Sequence, residues 1–405
     1  MKQSSVAIAL AFVGVMFFAI GFAFGINSFL SPTLNSIFGI KSSLSYLVLG
    51  ISFVPFLLFA VPATWTIKKI GYKRTMALSF LIFAISFALF ILAADFESIA
   101  VFLIASFVGG IGNAYLNAAA NPYITILGPI ESAARRISIM GICNKFAWPA
   151  AVLFFSLILK YMGISDTSAM TASDLNFPFY IIIGVFLLLG IMSLLAPLPE
   201  VTAAGEDENS VEDCPYAANK TSILQFPHAI LGALSLFIYT GVETLSLGTA
   251  YDYATSIGLD NPNTYSLLPT IGMVAGYICG IIFIPKYISQ SMALRICSII
   301  GVVGSLAIVL APADISVWMI LILGLGCSLG SPAIWPLSLK DLGKFTKTGS
   351  SLLVMGIAGG AVFPPLYGWL KDDFGAQQAY WLCLPCFLFI LFFSLYGYKI
   401  RTHSK

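Results

Sequence analysis

The stretch GGIGNAYLNAAANPYITILGPIESAARRISIMGICNKFAW, Gly109 to Trp148, decides how this chain is read. Its first part, Gly109 to Leu127, is an apolar run that carries three asparagines, Asn113, Asn117 and Asn121. Steps of four place them along one face of a helix. Gly128-Pro129 ends that run, and Glu131, Arg135 and Arg136 mark a polar connection. A second apolar run follows, in which Asn144 and Lys145 lie about 13 Å past Arg136 at helical rise. The hydrocarbon core of a bilayer is about 30 Å thick, so that depth is near its middle. Amides and an amine held there face a wet cavity or other protein rather than acyl chains. The stretch predicts the lining of a path for a polar solute.

Composition agrees with a membrane setting. Hydrophobic residues make up 59% of the 405, charged residues only 9%, and the mean hydropathy is +0.95. A soluble domain carries nearer a quarter charged residues, so this chain cannot cover itself with a solvated surface. A net charge of +2 with basic residues in short connections gives no argument for nucleic acid. The seven cysteines are an odd number and sit mostly inside apolar runs, so no disulfide framework follows. Cys383-Leu-Pro-Cys386 has metal or redox spacing, but on an apolar helix packing is the better reading.

Apolar runs of roughly 20 residues recur along the whole chain. They predict twelve spans at about 6–30, 44–66, 75–94, 98–128, 137–160, 177–197, 228–251, 263–285, 292–311, 315–338, 349–370 and 379–400. The first follows Lys2 like a secretory signal, but it is too long and lacks a small-residue cleavage site, so it is kept as a span. The spans are apolar on nearly all faces, which in lipid favours helices that satisfy their own backbone. An outer-membrane barrel would need ten-residue alternating segments, and none are visible. With both termini cytoplasmic, every basic residue but Lys41, Lys160 and Lys371 falls on the cytoplasmic side, as the positive-inside rule asks. The expected organisation is an all-α integral membrane protein. It has a six-helix bundle over 1–199, an acidic cytoplasmic linker over 200–222 and a second six-helix bundle over 223–405. Met140-Gly-Ile142 and Met355-Gly-Ile357 fall at the same place in each half, which fits a duplicated bundle.

Glycines mark helices that can approach closely: Gly21 and Gly25 in span one, Gly272, Gly276 and Gly280 in span eight, and Gly356, Gly359 and Gly360 in span eleven. They suit packing anywhere in a bundle or contact between two halves that rock, and the sequence leaves both open. Glu243 is the one carboxylate that falls well inside a span, in IYTGVETLSLGTAYDYA. A lone carboxylate there is costly unless protonated, paired or wet. It is either a hydrogen-bonded structural acid or a hydroxyl acceptor and proton carrier. Lys145 either snorkels to the cytoplasmic face or lines the cavity. Asn27, Ser28, Ser31 and Asn35 form a polar patch late in span one, and Trp148, Trp335, Tyr239, Tyr251 and Tyr265 are aromatic faces on which a sugar ring could stack. Gly326-Cys-Ser328-Leu-Gly330 matches the G-x-S-x-G pattern of serine hydrolases, but it lies inside an apolar span with no histidine at that depth. It is read as a small-residue packing patch, and the protein as no enzyme.

Longer motifs carry a family resemblance. They are Ala118-Ala-Ala-Asn-Pro-Tyr-Ile-Thr-Ile-Leu-Gly-Pro129 with Arg136 and Asn144, then Ala333-Ile-Trp-Pro336, Leu342-Gly-Lys-Phe-Thr-Lys-Thr-Gly349 and Met355-Gly-Ile-Ala-Gly-Gly360. By these the chain resembles the fucose–proton symporter family of the major facilitator superfamily. The run Gly128 to Lys145 is most similar to the glucose/galactose branch, with N-acetylglucosamine permeases as near relatives. The superfamily's loop pattern between spans two and three is partly kept as Lys68-Lys-Ile-Gly-Tyr-Lys-Arg74. The resemblance implies the major facilitator fold and alternating access by two rocking bundles.

Two departures bear on coupling. The fucose-permease pattern has an aspartate where this chain has Ser28, and a glutamate where it has Asn117. Proton symport through those acids is therefore not expected, and Glu243 is the remaining protonatable candidate. The resulting expectation is a monomeric carrier in a bacterial inner (plasma) membrane for a monosaccharide such as glucose, galactose or N-acetylglucosamine. Its site is expected at Asn27, Asn117, Asn121, Asn144, Lys145, Glu243 and Trp335, with amides and charged groups holding hydroxyls. No cofactor is expected; a coupling ion, H+ or Na+, is open, as are facilitated diffusion and another small solute such as a peptide or drug.

Overall fold

A chain this apolar must satisfy its backbone within each segment, and helices do that. The computed structural model describes residues 3–126, 133–164, 170–196, 215–218, 220–284, 286–342 and 345–403. Among the described residues every regular element is an α- or 3-10 helix. The long ones are α1 (Gln3–Phe38), α2 (Val54–Asp95), α3 (Ile99–Ile126), α4 (Ala133–Tyr161), α5 (Asn176–Leu195), α6 (Pro227–Ser256), α7 (Leu267–Phe283) and α8 (Gln290–Leu310). After them come α9 (Ile320–Cys327), α10 (Gly330–Leu339), α11 (Thr346–Gly356), α12 (Phe363–Phe374) and α13 (Cys383–Leu395).

Among the described residues eleven segments are long and apolar enough to cross a membrane, and the protein is an integral membrane protein. The expected spans two and three are merged in one of these, Ser42–Asp95, of 54 residues. Fully helical, that would reach about 80 Å, far beyond one hydrocarbon core. It is instead interrupted at Gly71, whose φ of 82° and ψ of 169° lie outside the helical region. Glycine takes such a φ without a Cβ clash. The segment thus accounts for two crossings, and twelve spans fit. Spans ten and eleven, expected as continuous, are broken. The first divides at Leu329 into α9 and α10, and the second carries a 3-10 turn, Ile357–Ala361, between α11 and α12. In that turn Gly359 is pressed against α6, where an added Cβ would lie 1.7 Å from the Phe237 carbonyl oxygen.

Two compact units are present. One comprises Met1–Ala203 with Pro364–Asp373, the other Ala204–Phe363 with Phe374–Lys405. In the first unit, α1 and α4 approach until Gly21 and Gly25 leave no room for a side chain. Cβ atoms there would lie 2.1 Å from the Asn144 carbonyl oxygen and 2.6 Å from that of Trp148. Aromatic rings fill the remainder: Phe24 stacks on Phe53 at 4.2 Å, and Phe83 on Phe186 at 4.8 Å. In the second unit Gly272 meets Leu321, Gly276 meets Ser328 and Gly280 meets Leu329. Each of these glycine contacts is therefore made inside one unit, which supports the plainer of the two packing readings. Residues 197–214, most of the expected linker, lie outside the described residues. Its end is docked on the second unit. Pro215–Ala218 forms a helical turn whose Ala217 is buried with Phe226, Ala229 and Leu342. Lys220 caps that cluster, its Nζ 4.2 Å from the Tyr216 ring centroid.

Candidate functional site

The buried polar groups of the first unit converge where α1, α2 and α3 meet. Asn27 is 6% exposed and Asn113 is 2% exposed, so the amides at membrane depth are turned inward. The Ser106 hydroxyl donates to Asn27 Oδ1 at 3.2 Å, tying α3 to α1. Ser86 on α2 donates to the Ala105 carbonyl at 2.7 Å. Asn27, Ser86, Ser106 and Asn113 share a small cavity with Ala23, Phe83, Phe87, Phe90 and Gly109. Gly109 leaves that space open, because a Cβ there would stand 2.8 Å from Ser86 Oγ. The other hydroxyls of span one satisfy themselves locally. Ser28 donates to the Phe24 carbonyl and Ser31 to that of Asn27, each four residues back, and Asn35 Nδ2 donates to the Ile40 carbonyl.

The asparagine face of α3 is not one continuous lining. Asn113 enters the cavity, while half-buried Asn117 donates from Nδ2 to the Asn113 carbonyl at 3.0 Å. The Asn121 side chain and those of Arg135 and Arg136 lie outside the described residues. On α4, half-buried Asn144 donates from Nδ2 to the Phe17 carbonyl at 3.0 Å, joining α4 to α1 beside the Gly21 contact. Lys145 is 8% exposed. Trp148 is buried with its ring 5.7 Å from that of Phe24, a core contact rather than an open face.

The second unit holds its own buried network on α6. Tyr239 OH lies 2.5 Å from Glu243 Oε1, one turn along the helix, and 2.8 Å from the Cys327 carbonyl oxygen at the end of α9. The single phenol proton serves one of these acceptors at a time. The Tyr239 ring occupies the space left by Gly330, where a Cβ would come within 2.0 Å. Glu243 is half-buried, and so is Trp335 on α10. Tyr265 instead packs edge-on against Trp318, with ring centroids 5.4 Å apart. Ser328 is fully buried, donates to the Leu325 carbonyl and fills the notch at Gly276, as a packing serine does. Cys383 and Cys386 are buried free thiols, with the Cys386 thiol donating to the Leu382 carbonyl.

Of the expected site residues, Asn27 and Glu243 each sit in a buried polar cluster, while Asn117 and Asn144 bond to helix carbonyls outside both. Asn27 gathers with Ser86, Ser106 and Asn113 in one unit; Glu243 gathers with Tyr239 and the Cys327 carbonyl in the other. Asn113 and its serine neighbours are the residues that the sequence left out of the expected site. Three asparagines at helical spacing were the visible signal, but the partners on α1 and α2 are far away in the chain.

Comparison with known proteins places these features. A profile of the Major Facilitator Superfamily matches residues 12–355. The chain is 30% identical over 404 residues to a glucose/galactose transporter of Brucella abortus biovar 1 (strain 9-941), covering 98% of this chain and 96% of that one. It is 25% identical over 429 residues to the L-fucose-proton symporter of Escherichia coli (strain K12), covering 99% and 96%. In fold it is similar to the crystal structure of a fucose-transporting major facilitator protein in the outward conformation. The TM-score is 0.70 at 24% identity, with 96% of this chain and 98% of that one covered. A bacterial homologue of the human lysosomal transporter Spinster, inward-facing and occupied, gives a TM-score of 0.69 at 13% identity, covering 100% and 98%. With its helical membrane fold and a profile match over most of its length, this chain belongs to the major facilitator superfamily.

Proposed function

We propose that the protein is a secondary carrier for a monosaccharide of the glucose/galactose class, working by alternating access in a bacterial inner membrane. The observation that carries this reading is the full-length, 30% identical likeness to a glucose/galactose transporter. The buried amides supply the chemistry. Asn and Gln present both donors and acceptors, and sugar hydroxyls need both. Half-buried Asn117 on α3 and half-buried Glu243 and Trp335 in the second unit are the groups proposed to meet the sugar, with Asn27, Asn121, Asn144 and Lys145 in support. Glu243 is the proposed proton-exchanging group, because Ser28 and Asn117 stand where the fucose-type pattern carries acids. Coupling to a cation is thus part of the proposal, with plain facilitated diffusion as its alternative.

Competition separates sugar from other small solutes. In cells stripped of their own hexose carriers, uptake of labelled galactose should require this protein and be reduced by unlabelled glucose. Dipeptides and hydrophobic drugs should leave it unchanged. Uptake blocked by a dipeptide and untouched by hexoses would overturn the assignment.

A further inference from the structure

One phenol on α6 is contested by two acceptors. Tyr239 OH lies 2.5 Å from Glu243 Oε1 and 2.8 Å from the Cys327 carbonyl oxygen, both ordinary lengths for an O–H···O hydrogen bond. Filling both contacts takes two protons, whereas the phenol has one and the carbonyl has none. The second proton can come from the carboxyl group. A neutral Glu243 donates to the phenol oxygen, and the phenol then donates to the Cys327 carbonyl. An ionised Glu243 takes the phenol proton for itself, because a hydrogen bond to a charged group is about twice as strong as a neutral one. The Cys327 carbonyl then loses that donor. Position makes the loss matter. Cys327 ends α9, the break falls at Leu329, and α10 begins at Gly330. The Tyr239 ring fills the notch at Gly330, where an added Cβ would come within 2.0 Å. One side chain therefore holds both edges of the break.

We infer that Tyr239 is a positioning residue that passes the protonation state of Glu243 to the break between α9 and α10. With the acid neutral, the phenol ties α6 to the end of α9. With the acid ionised, that tie is given up while the ring stays in its notch. The step breaks one carboxyl O–H bond, and the proton leaves to water at half-buried Glu243. Within the same unit Tyr277 on α7 and Cys327 on α9 face the pair, with Cys297 on α8 near Tyr277. Phenols and thiols are uncharged in mildly acid to neutral water, which leaves the exchange to Glu243. Trp335, proposed to meet the sugar, lies farther along α10. By linkage, a sugar that favours one placement of α10 also favours one protonation state of Glu243. That consequence rests on the carrier reading; the tie itself does not.

Hydrogen–deuterium exchange of the purified full chain in detergent tests the tie without any sugar. Exchange is followed by mass spectrometry over residues 325–332, from mildly acid to mildly alkaline pH, and corrected for the chemical exchange rate. In the native chain protection should fall about two- to tenfold as pH rises, the worth of one hydrogen bond in a local opening equilibrium. Glu243→Gln, whose amide N–H can replace the acid's O–H, should stay protected throughout. Tyr239→Phe, whose ring still fills the Gly330 notch, should stay at the lower level throughout. A tyrosine with a packing role alone would lower protection in Tyr239→Phe and leave the pH response intact, which would overturn the proposal. So would a native chain with no pH response, or a Glu243→Gln chain that loses protection as the native one does. The expected exchange pattern in a protein without hexose counterflow would uphold the tie and count against the carrier reading instead.

Discussion

Glu243 and Asn117 show how far a single residue can be read from sequence. Glu243 stood out because an acid inside an apolar span is costly unless satisfied. The sequence did not identify its partner, because Tyr239 was one of many aromatics in a chain with 14% of them. Helical spacing of four sets the phenol beside the carboxylate, 2.5 Å away, and the fold adds its tie to the Cys327 carbonyl. Glu243→Gln keeps the size and the hydrogen-bonding capacity but cannot exchange a proton. It should leave sugar exchange at equal pH within about twofold and flatten the dependence of accumulation on a pH gradient, measured in proteoliposomes. Retained pH-driven accumulation would remove Glu243 from coupling. Asn117 was legible as one of three amides at helical spacing, yet its neighbour Asn113 turned out to be the one facing a cavity. An amide within the membrane is rarely tolerated without use, and Asn117→Leu should abolish uptake with normal membrane expression. Normal uptake would show that the α3 amide face is structural.

At the scale of helices, hydropathy marked where each span lies but not which side it shows to its neighbours. Lipid is as apolar as leucine, so an all-apolar helix carries no amphipathic signal. Small residues carry that signal instead, and the glycines of spans one, eight and eleven did mark close contacts. Gly21→Ala would push a methyl group to 2.1 Å from the Asn144 carbonyl oxygen. Overpacking of this kind costs about 1–3 kcal/mol, and the unfolding temperature should fall. Gly184→Ala in α5 is the control, since nothing lies within 4 Å of its added Cβ. It should be neutral or slightly stabilising, because alanine is the better helix former. The break at Gly71 falls in the connection expected between spans two and three; those at Leu329 and Ile357–Ala361 were not legible, since glycine and proline are tolerated in membrane helices when neighbours satisfy the freed groups. A second contact of this scale links distant sequence. Asp372 on α12 accepts from the backbone N–H groups of Ser42 and Ser43 at 3.0 and 3.1 Å. These two groups open the short helix Ser42–Ser45, whose cap residue Lys41 offers no side-chain cap bond of its own. Asp372→Ala should cost about 1 kcal/mol of local stability, the usual worth of a helix cap. It should speed labelling of Ser43→Cys by a water-soluble thiol reagent; an unchanged labelling rate would show that the cap holds nothing closed.

Across the whole molecule, composition and the recurrence of apolar runs made the membrane class and span number readable, because the bilayer fixes segment length. The family was readable from long motifs such as Ala118–Pro129, which no argument from hydropathy requires. The grouping of Asn27, Ser86, Ser106 and Asn113 was not readable, since it depends on how three helices rotate about their axes. The unit boundary was also hidden: Pro364–Asp373 joins the first unit although its chain neighbours on both sides belong to the second. Carrier function is the claim on which the residue roles depend, and counterflow addresses it without assuming any coupling ion. Proteoliposomes holding the purified protein would be loaded with unlabelled galactose and diluted into a trace of labelled glucose. A carrier should draw the label inward transiently, above its outside concentration, and empty or galactose-free vesicles should not. If no hexose, including N-acetylglucosamine, produces that overshoot while the protein remains folded in the bilayer, the protein is not a monosaccharide carrier.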